Sequence, residues 1–481
     1  MEKHPVIPKG ILLPFALLCS LFFAWAVPNN LTDTMLATFK RIMSLDDAKT
    51  AWIQVACYFF GYGCFALPGA LFIKKFTYKS GVLLGLGLFA GGAMLVYPVG
   101  FAATISLNMA YMLFLVCLVI LFAGLSVLET SANSYVCAIG AEETATQRLN
   151  FAQSFNPFGA ITGVVVSQIF VLSKLSILTA EERAKLAPEK LEAIQMGEIS
   201  AVTAAYLVMG LLMVCLFLAI FFTKMPALKE DDKRLDLAGT FGRLIRNFNY
   251  VTGVIAQFCY VGAQIAVWSY IIRYVLAQLK LDAVVQSLGE NPATEQITEA
   301  LRNVEPVAGW FYNVCEAVGF DFVLPKTADQ AAGTYYIMSL VLFVIARFAC
   351  TGLMEFIKPR NLLTALSLLA IVSCLIVMFA KGHMGVYALM IISGCMSLMF
   401  PTIYGLGIAG LKEDTKIGGS GMVMAIAGAA VLTQIQGYVS DWADGDIRIA
   451  YVVPTVAFVF IGFYGAVICR IQEKRTGLVQ E

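Results

Sequence analysis

The stretch PFALLCSLFFAWAVPNNLTD, residues Pro14–Asp33, begins as an apolar run and ends in a proline, two asparagines and an aspartate. A transmembrane helix needs roughly 20 mainly apolar residues, so this stretch is long enough to enter and cross a bilayer. A carboxylate is costly in hydrocarbon, and an ionisable residue inside a membrane span usually marks a functional site. The stretch therefore predicts a membrane helix that carries part of a polar site.

The chain as a whole has the composition of an integral membrane protein. Of its 481 residues, 59% are hydrophobic and 14% are charged, whereas a typical soluble domain carries about 25% charged residues. The formal net charge of +1 gives no basis for a nucleic-acid partner. The twelve cysteines have no metal-ligand spacing, so we expect neither a metal site nor a bound cofactor. We therefore expect this chain to lie in a lipid bilayer.

Twelve segments are long and apolar enough to span a membrane. They lie at about 12–38, 51–73, 80–99, 109–139, 149–173, 201–223, 249–277, 333–356, 361–380, 384–410, 417–439 and 449–470. Their spacing predicts an all-α membrane protein made of two pseudo-symmetric six-helix bundles, residues 1–223 and 249–481. A charged cytosolic linker at 224–248 joins the two bundles.

The two halves carry related second loops, PGALFIKKFTYKSG (Pro68–Gly81) and TGLMEFIKPRNLL (Thr351–Leu363). Repeated halves are typical of secondary transporters, whose binding site lies near the bilayer midplane between them. The chain contains no GxxxxGK[ST] phosphate-binding loop and no nucleophile motif, which argues against ATP-driven transport and against an enzyme. The sequence therefore favours transport driven by an ion gradient or by the substrate's own gradient.

Lysine and arginine in short loops predict the orientation, because they accumulate on the cytosolic side. The loops Lys74–Lys79 and Lys358–Arg360 are basic, while Gly100–Asn108 carries no charge. We therefore expect both termini to be cytosolic. An outer insertion at about 281–333 is acidic and includes a predicted short helix at Val304–Val318, which would act as a structural cap or in substrate capture.

Carboxylates in the first and fourth segments are the candidate proton carriers, since neither histidine lies in a span. Asp33 lies in the first segment and Glu129 in the fourth. The alternative for each is an ion pair that fixes helix packing. For Arg347, in the eighth segment, we expect a structural pair or a gating contact.

Amides and aromatic side chains accompany these carboxylates at helical spacing. Asn133 follows Glu129 by four residues and shares its helix face. In the seventh segment, four polar or aromatic residues fall within about 80° of one face. The full candidate set for substrate contact is Trp25, Asn30, Glu129, Asn133, Gln153, Asn156, Gln257, Tyr260, Gln264 and Trp268.

This set of side chains predicts a polar cavity for a polyol, a sugar in particular. Amides and carboxylates bind hydroxyl groups, and aromatic rings cover the apolar C–H face of a sugar ring. A site of this kind discriminates strongly, because a missing hydroxyl leaves a buried polar group unpaired. For any single amide, an interhelical hydrogen bond is the alternative.

Four stretches closely resemble the bacterial L-fucose:proton symporter family of the major facilitator superfamily. They are Pro14–Asp33, LETSAN (Leu128–Asn133), RLNFAQSFNPFGA (Arg148–Ala160) and AQFCYVGAQIAVWSYIIRY (Ala256–Tyr274). The similarity runs through all twelve segments and is absent from Leu281–Gly333.

The resemblance implies uptake of L-fucose or a closely related monosaccharide together with a proton, by alternating access. It implies that Asp33 and Glu129 match the two essential carboxylates of the family, and that Asn30 and Gln153 match its sugar-contacting amides. The proton is then the coupling ion. The expected location is the bacterial inner membrane, and a monomer is expected.

The tenth segment departs from the family, which commonly has Gln-Tyr-Pro-Thr-Ile where this chain has Met399-Phe400-Pro401-Thr402-Ile403. The tyrosine is among the family's sugar contacts. Phe400 is the matching candidate here, and it lacks the tyrosine hydroxyl. This departure leaves the identity of the sugar undecided. A glucose/galactose or amino-sugar symporter of the same fold is the alternative, and a sugar sensor that does not translocate its ligand is the alternative from another class.

Overall fold

The computed structural model of the chain describes residues 5–7, 10–42, 52–53, 55–166, 186–226, 237–288, 294–304, 306–319, 324–325 and 327–476. Throughout these ranges the secondary structure is helical, without a β-strand. Ten helices among them are long and apolar enough to cross a membrane, judged by length and composition. The predicted all-α architecture is confirmed.

The described α-helices have the following bounds. In chain order they are α1 (Leu12–Ile42), α2 (Cys64–Lys75), α3 (Tyr78–Leu95), α4 (Val99–Ile105), α5 (Leu107–Ala138), α6 (Ala145–Gln153), α7 (Asn156–Val166), α8 (Pro188–Phe222), α9 (Leu237–Arg246), α10 (Phe248–Leu279), α11 (Leu281–Gln286), α12 (Thr294–Arg302), α13 (Pro306–Ala317), α14 (Ala328–Leu353), α15 (Pro359–Phe379), α16 (His383–Met396), α17 (Met399–Ile408), α18 (Thr415–Met424), α19 (Gly428–Trp442), α20 (Ile447–Ala450), α21 (Val452–Phe463) and α22 (Cys469–Thr476). A π-helical segment, Val55–Gly63, leads into α2.

These helices group into two compact units. The first unit comprises residues 1–254 and 404–427, and the second comprises 255–403 and 428–481. Segment 404–427 joins the first unit through specific contacts. The Tyr404 hydroxyl lies 2.9 Å from the Ser134 hydroxyl, and the Asn249 amide nitrogen donates to the Leu406 carbonyl at 2.9 Å. The units therefore divide the chain differently from the predicted bundles 1–223 and 249–481, which stay a prediction from the repeat.

The first unit brings α1 and α7 into close backbone contact. A Cβ atom at Gly159 would collide with the Phe23 carbonyl, and one at Gly163 would collide with the Val27 carbonyl. The Asn156 amide nitrogen donates to the Phe22 carbonyl at 3.3 Å. Small residues permit this approach, which is typical of packed membrane helices.

Three helices can be compared with the segments predicted from the sequence. The fifth segment breaks between α6 and α7, because Pro157 has no N–H to donate to the carbonyl four residues earlier. The sixth begins at Pro188, earlier than the predicted residue 201, with proline at the first helical turn, where its missing N–H costs nothing. The helix predicted at Val304–Val318 is α13, Pro306–Ala317.

Candidate functional site

Helix α5 carries a run of polar side chains that are all removed from solvent. Glu129, Thr130, Ser131, Asn133 and Ser134 are buried, and Glu129 exposes 8% of its surface. The surrounding sequence is apolar, so this run is the polar section of a membrane helix. Such a section is retained only where its groups find partners or bind a ligand.

Glu129 belongs to a chain of side-chain contacts that joins α5 to α6. Its carboxyl group interacts with the side chains of Tyr62 and Asn133. The Asn133 amide oxygen in turn accepts a hydrogen bond of 2.8 Å from the Gln153 amide nitrogen. A carboxyl group and two amides in contact are groups that can bind the hydroxyl groups of a sugar.

No Lys, Arg or His forms an ion pair with Glu129 in the part of the chain that the structure describes. A buried carboxyl group without a counter-ion is far less costly as the neutral acid than as the carboxylate. This arrangement differs from the packing ion pair that was the alternative for Glu129, and it suits a group that takes up and releases a proton.

The interior of α1 carries the next predicted residues. The Trp25 side chain is buried against Phe22, with ring centroids 4.4 Å apart. The Asn30 amide nitrogen donates to the Ala26 carbonyl at 2.9 Å. Asp33 lies on the same helix, but its side chain lies outside the described residues, so its predicted role stays a prediction.

In the second unit, α10 presents the predicted stripe of amides and aromatic rings. Gln257 is fully buried, and neither its amide oxygen nor its amide nitrogen has a hydrogen-bond partner among the described residues. Gln264 is partly exposed one turn beyond Tyr260. A buried amide without a partner is costly, which makes Gln257 a candidate for ligand binding.

The other two members of the stripe are already hydrogen-bonded within the second unit. The Tyr260 hydroxyl donates to the Met396 carbonyl at 3.0 Å, and the Trp268 indole N–H donates to the Ser393 hydroxyl at 3.2 Å. Phe400 packs edge-on against Tyr260, with ring centroids 6.2 Å apart. Tyr260 and Phe400 therefore pack together, while Trp268, two turns further along α10, packs against Tyr336 and Phe343.

Arg347 shows a role that the sequence identified only in outline. The Nε of its guanidinium group donates a hydrogen bond to the Ser397 carbonyl. The central guanidinium carbon lies over the Phe343 ring, 4.6 Å from the ring centroid. Pro401 has no N–H, so the Ser397 carbonyl lacks its usual helical donor. Arg347 replaces that donor, so its structural partner is a backbone carbonyl at the break between α16 and α17.

One further residue was missed by the sequence reasoning. Gln436 on α19 is fully buried, and both of its amide atoms lack a hydrogen-bond partner within the described ranges. An amide inside the apolar eleventh segment was the signal that could have identified it. The neighbouring Thr433 hydroxyl, three residues earlier, is likewise unpartnered there.

Comparison with known proteins places the chain in a family. Residues 13–431 match the family model of the Major Facilitator Superfamily. The L-fucose-proton symporter of Escherichia coli is 38% identical over 465 residues, which cover 96% of this chain and 94% of that protein. A glucose/galactose transporter of Brucella abortus is 28% identical over 447 residues, covering 93% of this chain and 92% of that protein.

A solved structure agrees with these sequence relatives. The crystal structure of the Major Facilitator Superfamily transporter FucP in the outward conformation matches with a TM-score of 0.77 at 36% identity. The match covers 95% of this chain and 99% of that one. The chain therefore belongs to the Major Facilitator Superfamily, and within it to the family of the L-fucose-proton symporters.

Proposed function

We propose that this protein is a proton-coupled symporter that imports L-fucose or a closely related monosaccharide by alternating access. Relatives named L-fucose-proton symporter support the substrate and the coupling ion. The observation that carries the proposal is the buried Glu129 carboxyl, which has amide neighbours and no ion-pair partner among the described residues.

In this proposal, Glu129 couples sugar binding to protonation. As the neutral acid it both donates and accepts a hydrogen bond, so it can bind a sugar hydroxyl beside Asn133 and Gln153. Once the site opens to the other side and the sugar leaves, water reaches the carboxyl group and its proton is released. Asp33, matched by the family resemblance, would serve as a second proton site, and Asn30 as a sugar contact.

The second unit also carries candidate sugar contacts. Gln257 has an amide whose oxygen and nitrogen lack a partner among the described residues and would bind hydroxyl groups. Trp268 and Phe400, which are partly exposed, would cover the apolar C–H face of the ring, with Tyr260 packed against Phe400. Asn156 and Gln264 stay candidate contacts on their helices.

A single proton per sugar is sufficient energetically. One charge that moves down 100 mV supplies about 2.3 kcal/mol, equivalent to roughly fifty-fold accumulation. We propose no cofactor beyond this coupling proton. The proposed setting is a monomer in the bacterial inner membrane with both termini in the cytosol.

A glucose/galactose symporter is the second candidate. Phe400 lacks the hydroxyl that the family's tyrosine brings to the sugar site, and relatives from Brucella abortus are named glucose/galactose transporters. A site with one hydroxyl fewer would favour a different arrangement of sugar hydroxyl groups.

Uptake of labelled L-fucose into proteoliposomes, with and without an inward proton gradient, tests both candidates. Accumulation that requires the gradient and is competed by L-fucose, and not by glucose, supports the proposal. Accumulation competed by glucose or galactose instead selects the second candidate. Binding of a sugar without any uptake would contradict both and indicate a sensor.

A further inference from the structure

The insertion between α10 and α14 contains an amphipathic helix, α13, with two distinct apolar faces. One face packs inward: Ala308, Tyr312 and Cys315 are buried at spacings of four and three residues. This face holds the insertion against the second unit. The insertion lies outside the four stretches that closely resemble the symporter family.

The other apolar face of α13 is open. It consists of Val307, Trp310, Val314 and Val318, at spacings of three, four and four residues, which form one stripe on a helix. Trp310 exposes 63% of its surface and Val318 exposes 64%. Large apolar side chains that are grouped and exposed mark an interaction surface.

Polar groups of α13 are gathered away from this stripe. Glu316 forms a 2.8 Å salt bridge with Arg302 at the end of α12, and Asn313 accepts a hydrogen bond from the same guanidinium group. The stripe therefore carries no charged residue, while the flank of α13 carries the Glu316 carboxylate, which is paired with Arg302. That division is typical of a helix that lies in a membrane interface.

A hydrogen bond fixes the depth of α13 along the neighbouring membrane span. The Tyr312 hydroxyl lies 3.0 Å from the Thr334 hydroxyl on α14. Helix α14 has 26 residues, and about twenty of them, at 1.5 Å each, span the roughly 30 Å of the hydrocarbon core. Thr334 is its seventh residue and therefore lies within about 9 Å of the hydrocarbon edge, next to Tyr335 and Tyr336, residues of the type enriched at membrane interfaces.

We propose that the stripe Val307, Trp310, Val314 and Val318 inserts into the lipid headgroup–acyl boundary of the leaflet next to the insertion. The depth of Tyr312 brings α13 to that boundary, and Trp310, with an apolar ring and one N–H, suits it. A second copy of the chain is a poorer occupant. Three side chains on α13 and Val318 directly after it are far fewer than the roughly 20 to 30 residues a side of a stable protein interface.

This proposal is independent of the transported sugar, and photo-crosslinking tests it directly. A benzophenone amino acid replaces Trp310, and in a second protein it replaces Asn313 on the polar flank. Both proteins are reconstituted in phosphatidylcholine vesicles, irradiated and analysed by intact mass. Gradient-driven sugar uptake, or the melting temperature if uptake is absent, shows that each protein is folded.

We expect phospholipid adducts at position 310, several-fold above those at position 313. A crosslinked dimer at position 310 would identify a second copy as the occupant and overturn the proposal. An absence of adducts at both positions would place the stripe in water and also overturn it.

Fluorescence gives an independent measurement on the unmodified chain. Brominated phosphatidylcholine should quench the wild-type protein more than Trp310→Phe, because Trp310 contributes an accessible fluorophore near the bromine atoms. Equal fractional quenching of the two proteins would contradict lipid contact at Trp310.

Discussion

The polar groups of the two units are used in different ways. In the first unit, Glu129, Asn133 and Gln153 contact one another through side chains. In the second, Tyr260 and Arg347 bond backbone carbonyls where α16 gives way to α17. Side chains that bond one another can exchange those bonds for a sugar, whereas those bound to a helix break maintain its shape. The first unit therefore carries the proposed protonation, and the second carries hydrogen-bonded aromatic residues and Gln257, which has no hydrogen-bond partner among the described residues.

The largest effect is expected from Glu129→Gln, which keeps the size and the hydrogen bonds of the neutral acid but cannot release a proton. Gradient-driven accumulation should be lost, while exchange of labelled for unlabelled sugar across the vesicle membrane should persist. Both are measured in the same proteoliposomes. Normal accumulation by this variant would remove Glu129 from the coupling mechanism.

Next in size is the stability change from Arg347→Met. Losing the guanidinium leaves the Ser397 carbonyl buried without a donor, which should cost about 1–3 kcal/mol. Thermal unfolding in detergent measures the loss. Because Pro401→Ala restores an N–H to residue 401, the double variant should recover part of the stability, with Pro401→Ala alone as the control. Identical melting temperatures for Arg347→Met with and without Pro401→Ala would refute this role.

Gln257→Leu and Gln153→Leu form a matched pair for the contrast between the units. Gln257 has no partner among the described residues, so its replacement should leave the melting temperature unchanged or higher and weaken sugar binding about tenfold. Gln153→Leu breaks the bond to Asn133, so stability and binding should both fall. Calorimetry and thermal unfolding separate the two. Equal stability losses would show that Gln257 has a structural partner instead.

The smallest effect is expected from Phe400→Tyr, which adds one hydroxyl beside Tyr260. If the sugar is L-fucose, its apparent affinity should rise about fivefold, as expected for one hydrogen bond of about 1 kcal/mol. Competition curves with L-fucose and glucose on wild type and variant measure the shift. A gain for glucose instead of L-fucose would favour the second candidate function.

Much of this molecule was predictable from the sequence, because the bilayer restricts what a chain can do. Apolar length located the ten spans found among the described residues, and the high cost of burying charge singled out Glu129 inside α5. Helical spacing placed Asn133 on the same helix face as Glu129. The sequence likewise predicted a short helix at Val304–Val318, where the structure has α13.

Other features depended on the tertiary structure, because the periodicity of a sequence does not show which helix a side chain contacts. The link from Asn133 to Gln153, the bond of Arg347 to the carbonyl left free by Pro401, and the absence of a described partner for Gln257 and Gln436 all require the packed helices. The depth of α13 required the contact between Tyr312 and Thr334. The sequence by itself determined that the chain is a membrane protein with buried polar groups. The free energy of moving a residue from water into lipid depends mainly on that residue's own side chain. Only the tertiary structure decided which of those groups are satisfied, because hydrogen bonds between distant residues form only when the helices come together.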